Sequence, residues 1–203
     1  MVIKKIIAQG ISFIFHPLIM PTLAFLLLLN SGFYFSLLTY RAKLFILLII
    51  FLSTFVLPLL SIGLMRLNTK FRVDLNKHAD RVIPMLSTAV FYYLGYYYLG
   101  RLPVYPIYRV FLISSILIIV MLMTVSVRWK ISAHMAGIGG IIGAFMALSF
   151  RLNTDTSVFL SFLIAIAGLL GTSRLILDKH NPVQVYAGFS AGFLINYMII
   201  NYI

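Results

Sequence analysis

The stretch IYRVFLISSILIIVMLMTVSV, residues 107–127, decides the fold class. Its one charge, Arg109, sits near the start, and nothing charged follows before Arg128. A helix rises 1.5 Å per residue, so roughly 20 apolar residues cross the hydrocarbon of a bilayer. This run has that length, and no soluble core strand or helix needs so long an uninterrupted apolar surface.

The rest of the chain repeats the pattern. Apolar segments run from about Ile6 to Asn30, Leu44 to Met65, Pro84 to Gly100, His134 to Phe150, Ser157 to Thr172 and Pro182 to Ile200. The first is interrupted by His16-Pro17 and Pro21, which predicts a kinked or interfacial helix there. Pro84 and Pro182 fall where a helix's first turn would be, the position that tolerates proline. Across all 203 residues 62% are hydrophobic and 10% charged, against about 25% charged in a soluble domain. So few charges could not cover a soluble surface. The expectation is an all-α, polytopic transmembrane bundle of about six or seven spans, a single integral membrane domain over 1–203. Lys4 and Lys5 precede an apolar run as in a signal peptide, but no small-residue cleavage site follows, so they read as the lead-in to the first span.

Composition narrows the chemistry. Cysteine is absent, which excludes disulfides, thiol nucleophiles and cysteine-bound metals. Glu is absent too, and the acids are Asp74, Asp80, Asp155 and Asp178. Metal-dependent prenyl or CDP-alcohol transferases need repeated Asp motifs, and four scattered Asp do not supply them. A transporter would place charges near the bilayer midplane. The formal net charge of +12 points to anionic headgroups or anionic substrates.

Counting crossings brings the polar breaks together. If Arg66–Arg81 lies on one face, the next two segments go out and return, so Arg128–His134 shares that face. The following pair does the same for Ser173–His180. This face gathers His134 and His180 with Arg81, Arg174, Lys77, Lys130, Lys179 and Ser132. The turns around Arg41, Arg101 and Asn153 on the opposite face are short and plain. Two histidines among cations suit phosphate chemistry. Arginine grips phosphate oxygens bidentately and never loses its charge. Histidine can attack phosphorus or protonate a leaving oxygen. Arginines can carry the charge stabilisation that Mg²⁺ carries elsewhere, so the scheme calls for no metal and no cofactor. Lys77 precedes Arg81 by four residues and shares its helical face. His16 and His78 read as headgroup contacts, Arg128 and Lys179 as interface anchors. Gly139 and Gly143, like Gly188 and Gly192, have the four-residue spacing of close helix packing in lipid.

Ser173-Arg174-Leu-Ile-Leu-Asp-Lys-His180 is Ser-Arg, five residues, His. In this it resembles the third signature of the type 2 phosphatidic acid phosphatase (PAP2) superfamily, which also contains the vanadium haloperoxidases. Ser132-Ala133-His134 is similar to the second signature, Pro-Ser-Gly-His, and the stretch from Lys77 to Pro84 to the first. The resemblance spans about residues 70–200. It implies that His180 is the nucleophile forming a phosphohistidine and that His134 is the general acid. It implies that Arg174, Arg81 and Lys77 grip the phosphate, with Ser132 and the backbone at Ala133 hydrogen-bonding it. The implied partners are a lipid phosphate or pyrophosphate and membrane lipids, with no nucleic acid and no protein partner. The alternative is a catalytically idle relative that binds lipid phosphates.

The chain departs from the family's pattern at three places. Gln184 stands where the family carries Asp four residues after the nucleophilic His. An amide oxygen can fix the histidine tautomer but adds no negative charge. Ile131 replaces the signature Pro and Ala133 the Gly. In the first motif, Pro84 lies three residues after Arg81 instead of next to it.

For sidedness, the face with the histidines holds Lys4, Lys5, Arg66, Lys70, Arg72, Lys77, Arg81, Arg128, Lys130, Arg174 and Lys179. The other holds Arg41, Lys43, Arg101, Arg109 and Arg151. The positive-inside rule puts the site in the cytoplasm, whereas many bacterial members of the family face the periplasm. The expected location is the bacterial inner membrane with a cytoplasmic site.

Overall fold

The computed structural model describes residues 2–33, 36–67 and 82–202. Among these every regular element is helical and there is no strand. The helices are α1 (Val2–Ile14), α2 (Met20–Leu28), α3 (Tyr40–Phe51), α4 (Leu57–Leu67), α5 (Val82–Leu99), α6 (Pro106–Ser126), α7 (Ala133–Leu152), α8 (Ser157–Ile176) and α9 (Pro182–Tyr202). Among the described residues, five continuous helical stretches are long and apolar enough to cross a membrane: Tyr40–Met65, Pro106–Ser126, Ala133–Leu152, Ser157–Ile176 and Pro182–Tyr202. Large apolar side chains such as Leu48, Leu64, Phe162 and Leu194 stay exposed, as they must where lipid is the solvent. The protein is an integral membrane protein. α5 has comparable length and carries five tyrosines.

The first apolar segment is two helices. Pro17 has no N–H to continue α1. The chain turns instead, with Ile19 and Met20 both donating to the His16 carbonyl. A second irregularity joins α3 to α4, where Leu52–Val56 widens into a π-turn. Pro58 cannot donate to the Thr54 carbonyl and crowds it. The Ser53 hydroxyl takes up the Ile49 and Ile50 carbonyls at 2.8 and 3.2 Å.

The chain forms two compact units, Met1–Met20 with Ile131–Ile203, and Pro21–Lys130. In the second, α5 packs on α6, and Phe25 lies against Tyr108 and Phe111. Ser53 meets α5 at Gly95, where a Cβ would collide with its hydroxyl. Arg109 donates to the Tyr96 hydroxyl at 2.8 Å.

The first unit holds α1, α7, α8 and α9, with α7 the most buried. Among the described helices, α7 and α9 make the most extensive contact. A Cβ on Gly139 would strike the Phe189 carbonyl and one on Gly143 the Phe193 carbonyl. From the other side, Gly188 faces the Ser132 carbonyl and Gly192 the Ala136 carbonyl. The four-residue spacing therefore acts as the sequence indicated, letting two backbones touch. Within the seam the buried Asn196 donates to the Gly140 carbonyl at 2.8 Å. α8 packs on α7, and α1 on α8.

Candidate active site

The start of α7, the end of α8 and the start of α9 meet at one end of the first unit. Ser132 caps α7, its hydroxyl accepting from Met135 N–H at 3.5 Å. Its own N–H donates to the Gln184 carbonyl at 3.3 Å. Ser132 is fully buried, so in this arrangement it ties the starts of α7 and α9 together. Ala133 follows as the first residue of α7 and is half-buried.

α8 ends in a tight turn. Leu177 N–H bonds the Ser173 carbonyl at 3.1 Å and Lys179 N–H the Arg174 carbonyl at 3.2 Å. Asp178 adopts a left-handed backbone, φ 52°, which a short polar side chain tolerates. The turn carries His180 back over the helix end, where it is 9% exposed. Arg174 lies in the last turn of α8 and is half-buried. There its cation also complements the negative end of the helix dipole.

α9 opens with a reciprocal cap. Asn181 Oδ1 accepts from Gln184 N–H at 2.9 Å, and Gln184 Oε1 accepts from Asn181 N–H at 3.3 Å. That is the capping-box arrangement, with Asn and Gln in the two roles. The same Oε1 lies 3.1 Å from His180 Nδ1. A backbone N–H can only donate, so the atom bonded to it must be the amide oxygen. His180 Nδ1 therefore carries a proton, which in a neutral imidazole puts the lone pair on Nε2. Gln184 thus orients His180 as an acceptor while closing the helix cap.

His134, in the first turn of α7, is fixed from another direction. Its Nε2 lies 3.1 Å from the Ser12 carbonyl at the end of α1. A carbonyl only accepts, so Nε2 holds the proton and Nδ1 is the atom left to exchange one. His134 is within electrostatic reach of Arg174, His16 and His180.

The His16 ring stands edge-on to His134, with centroids 5.7 Å apart and planes at 79°. Its Nδ1 faces the Leu18 N–H at 3.4 Å. Burial, and behind it the charge of Arg174, hold its pKa below the ordinary imidazole value. Three of the chain's four histidines therefore gather at one end of one unit. His78, with Lys77, Arg81 and Asp80, lies outside the described residues.

Sequence reasoning joined His134, Arg174, His180 and Gln184, and the structure brings these four together. It missed His16, read as a headgroup contact, and the cap made by Asn181 and Gln184. Both had a signal: Phe-His-Pro is a helix stop, and Asn-Pro-Val-Gln is a helix start. Among the described residues, no group of three or more His or Asp is placed to hold a metal ion. No family model, curated protein or solved structure matches this chain.

Proposed function

We propose that this chain is a membrane lipid phosphatase of the type 2 phosphatidic acid phosphatase kind. It hydrolyses a lipid phosphate monoester or pyrophosphate through a phosphohistidine, without a metal. The observation that carries the reading is the acceptor behind His180. Gln184 Oε1 at 3.1 Å from Nδ1 leaves Nε2 as a nucleophile, and Arg174 and His134 sit at the same helix ends.

The residues then divide the work. The Nε2 lone pair of His180 attacks phosphorus, and the phosphorus–oxygen bond to the lipid breaks. Arg174 neutralises the non-bridging oxygens, with Arg81 and Lys77 as the further cations of the scheme. The leaving oxygen takes a proton from Nδ1 of His134, whose imidazolium form is favoured by the phosphate's own negative charge. His134, now neutral, accepts a proton from the water that attacks the phosphohistidine. Inorganic phosphate leaves and His180 regains its lone pair. On this reading the core covers about residues 70–200 of a bundle of six or seven spans. The protein lies in a bacterial inner membrane with the site at the cytoplasmic face.

The neutral amide of Gln184 favours one other reading, an idle relative that holds lipid phosphates without cleaving them. Phosphate release from a panel of lipid phosphates, with EDTA present, decides between them. The phosphatase reading expects release by wild type and none by His180→Ala. Absence of release from every substrate, with the lipids still bound, favours the idle relative.

A further inference from the structure

The N-terminal segment enters the site at two points, the Ser12 carbonyl on His134 and the His16 ring beside it. Nothing in the chemistry proposed above uses His16. A histidine at a headgroup surface would point into water or lipid. This one sits half-buried, in a break that Pro17 forces, against one histidine and close to an arginine. A ring so placed, beside His134 and within electrostatic reach of Arg174, lies where a phosphate held by those residues would sit.

We propose that His16 is a further phosphate-binding residue, a neutral N–H donor to a non-bridging phosphoryl oxygen beside Arg174. The inference rests on the phosphatase reading and adds a ligand that the sequence motifs do not contain. The tautomer supports it. The Leu18 N–H can only donate, so Nδ1 accepts and the proton belongs on Nε2. Burial and the Arg174 charge favour the uncharged ring, so it donates without placing a second positive charge beside Arg174. Its job is ground-state and transition-state grip on phosphate; proton transfer stays with His134.

With four histidines in the chain, imidazole nitrogens are separable by ¹⁵N-histidine NMR on the full-length protein in detergent micelles. Single His→Gln variants assign them. Titration with inorganic phosphate is expected to shift His16, His134 and His180 together, saturating at one concentration. A shift of His134 and His180 without His16 overturns this inference and leaves the phosphatase reading standing. No shift of any of the three overturns both. A parallel titration with short-chain phosphatidic acid separates the sources. Saturation at lower concentration than inorganic phosphate identifies a lipid headgroup as the ligand, and the reverse order the free ion.

Two variants complete the test. His16→Phe keeps a ring beside His134 but has no donor, and is expected to weaken phosphate binding about 10- to 100-fold, the worth of one hydrogen bond to a charged group. His16→Gln restores an N–H and is expected to recover most of that loss. A packing role alone predicts the opposite order, with Phe tolerated and Gln not. That order overturns the proposal.

Discussion

Replacing Gln184 by Glu tests the mechanism at the point where this chain and the family differ. Glu has the same length as Gln, so its oxygen keeps the place 3.1 Å from His180 Nδ1 and 3.3 Å from Asn181 N–H. The cap survives, and a carboxylate in the first turn of α9 favours the helix dipole. Asp, the family's residue, is one methylene shorter and would have to give up one of the two bonds. The substitution therefore changes charge with little change of shape.

The gain follows from Coulomb's law. On the proposed mechanism, the His180 ring becomes a cation once its Nε2 bonds to phosphorus. With roughly 4.5 Å between charge centres and an effective dielectric of about 20, a carboxylate stabilises that cation by about 4 kcal/mol. Gln184 is half-buried, so water screens a good part. About half the gain, 2 kcal/mol, is roughly thirtyfold in rate. The removal of Asp from a serine-protease triad, about 10⁴ in kcat, bounds the effect from above. The assay is phosphate release from mixed micelles with EDTA present, alongside thermal unfolding of each variant. Gln184→Glu is expected to raise kcat/KM roughly thirtyfold at unchanged Tm. Gln184→Leu, which leaves both donors unanswered, is expected to lose at least tenfold, together with about 1 kcal/mol of cap stability. A Glu variant that folds as well as wild type and is no faster would refute the assignment of His180 as nucleophile.

Three further outcomes follow from the same structure. His16 is held below its ordinary pKa, so only the unfolded state takes up a proton as pH drops past about 6.5. The stability it contributes is full above that value and is lost as pH falls toward the folded pKa. Between pH 7.5 and 5, the wild-type Tm is expected to fall further than that of His16→Phe. Gly192→Ala drives a Cβ into the Ala136 carbonyl and is expected to cost about 1–3 kcal/mol, while Gly168→Ala, which meets nothing within 4 Å, is expected to leave Tm unchanged or higher. Because the chain lacks cysteine, Asp155→Cys, at the exposed turn between α7 and α8, gives a single reporter opposite the site. Its labelling by an impermeant thiol reagent from outside intact cells is expected on the charge asymmetry, and protection from outside would move the site to the periplasmic face.

Much of this was legible because lipid imposes a coarse grammar. Apolar runs of crossing length became α3–α4 and α6 to α9, and the glycine spacing became the α7–α9 seam. What escaped was local. The sequence marks a break at His16-Pro17 but not where the break sends the His16 ring. The split that Pro17 makes takes His16 from a supposed headgroup contact to the side of His134. Gln184 was legible as a substitution but not as a cap. One position answers two donors, and a motif aligned for catalysis records only one of them. Lys77 and Arg81 fall outside the described residues, so their part rests on the sequence.

The seam also sets the geometry of the site alongside the site's own residues. Ser132 N–H reaches the Gln184 carbonyl only if α7 and α9 hold one register. That register is set along the seam, by Gly188 on Ser132, Gly139 on Phe189, Gly192 on Ala136 and Gly143 on Phe193. A shift of one turn, 5.4 Å, would carry Gln184 away from the α7 cap and His180 away from His134. The nitrogens that would handle phosphate at the interface are therefore aimed by glycines buried in the hydrocarbon. It follows that a bulky side chain at Gly143, about two and a half helical turns from His134, should depress activity at temperatures where the protein is still folded. If Gly143→Leu stayed folded and fully active, the register would have to be fixed elsewhere, and the seam would be packing alone.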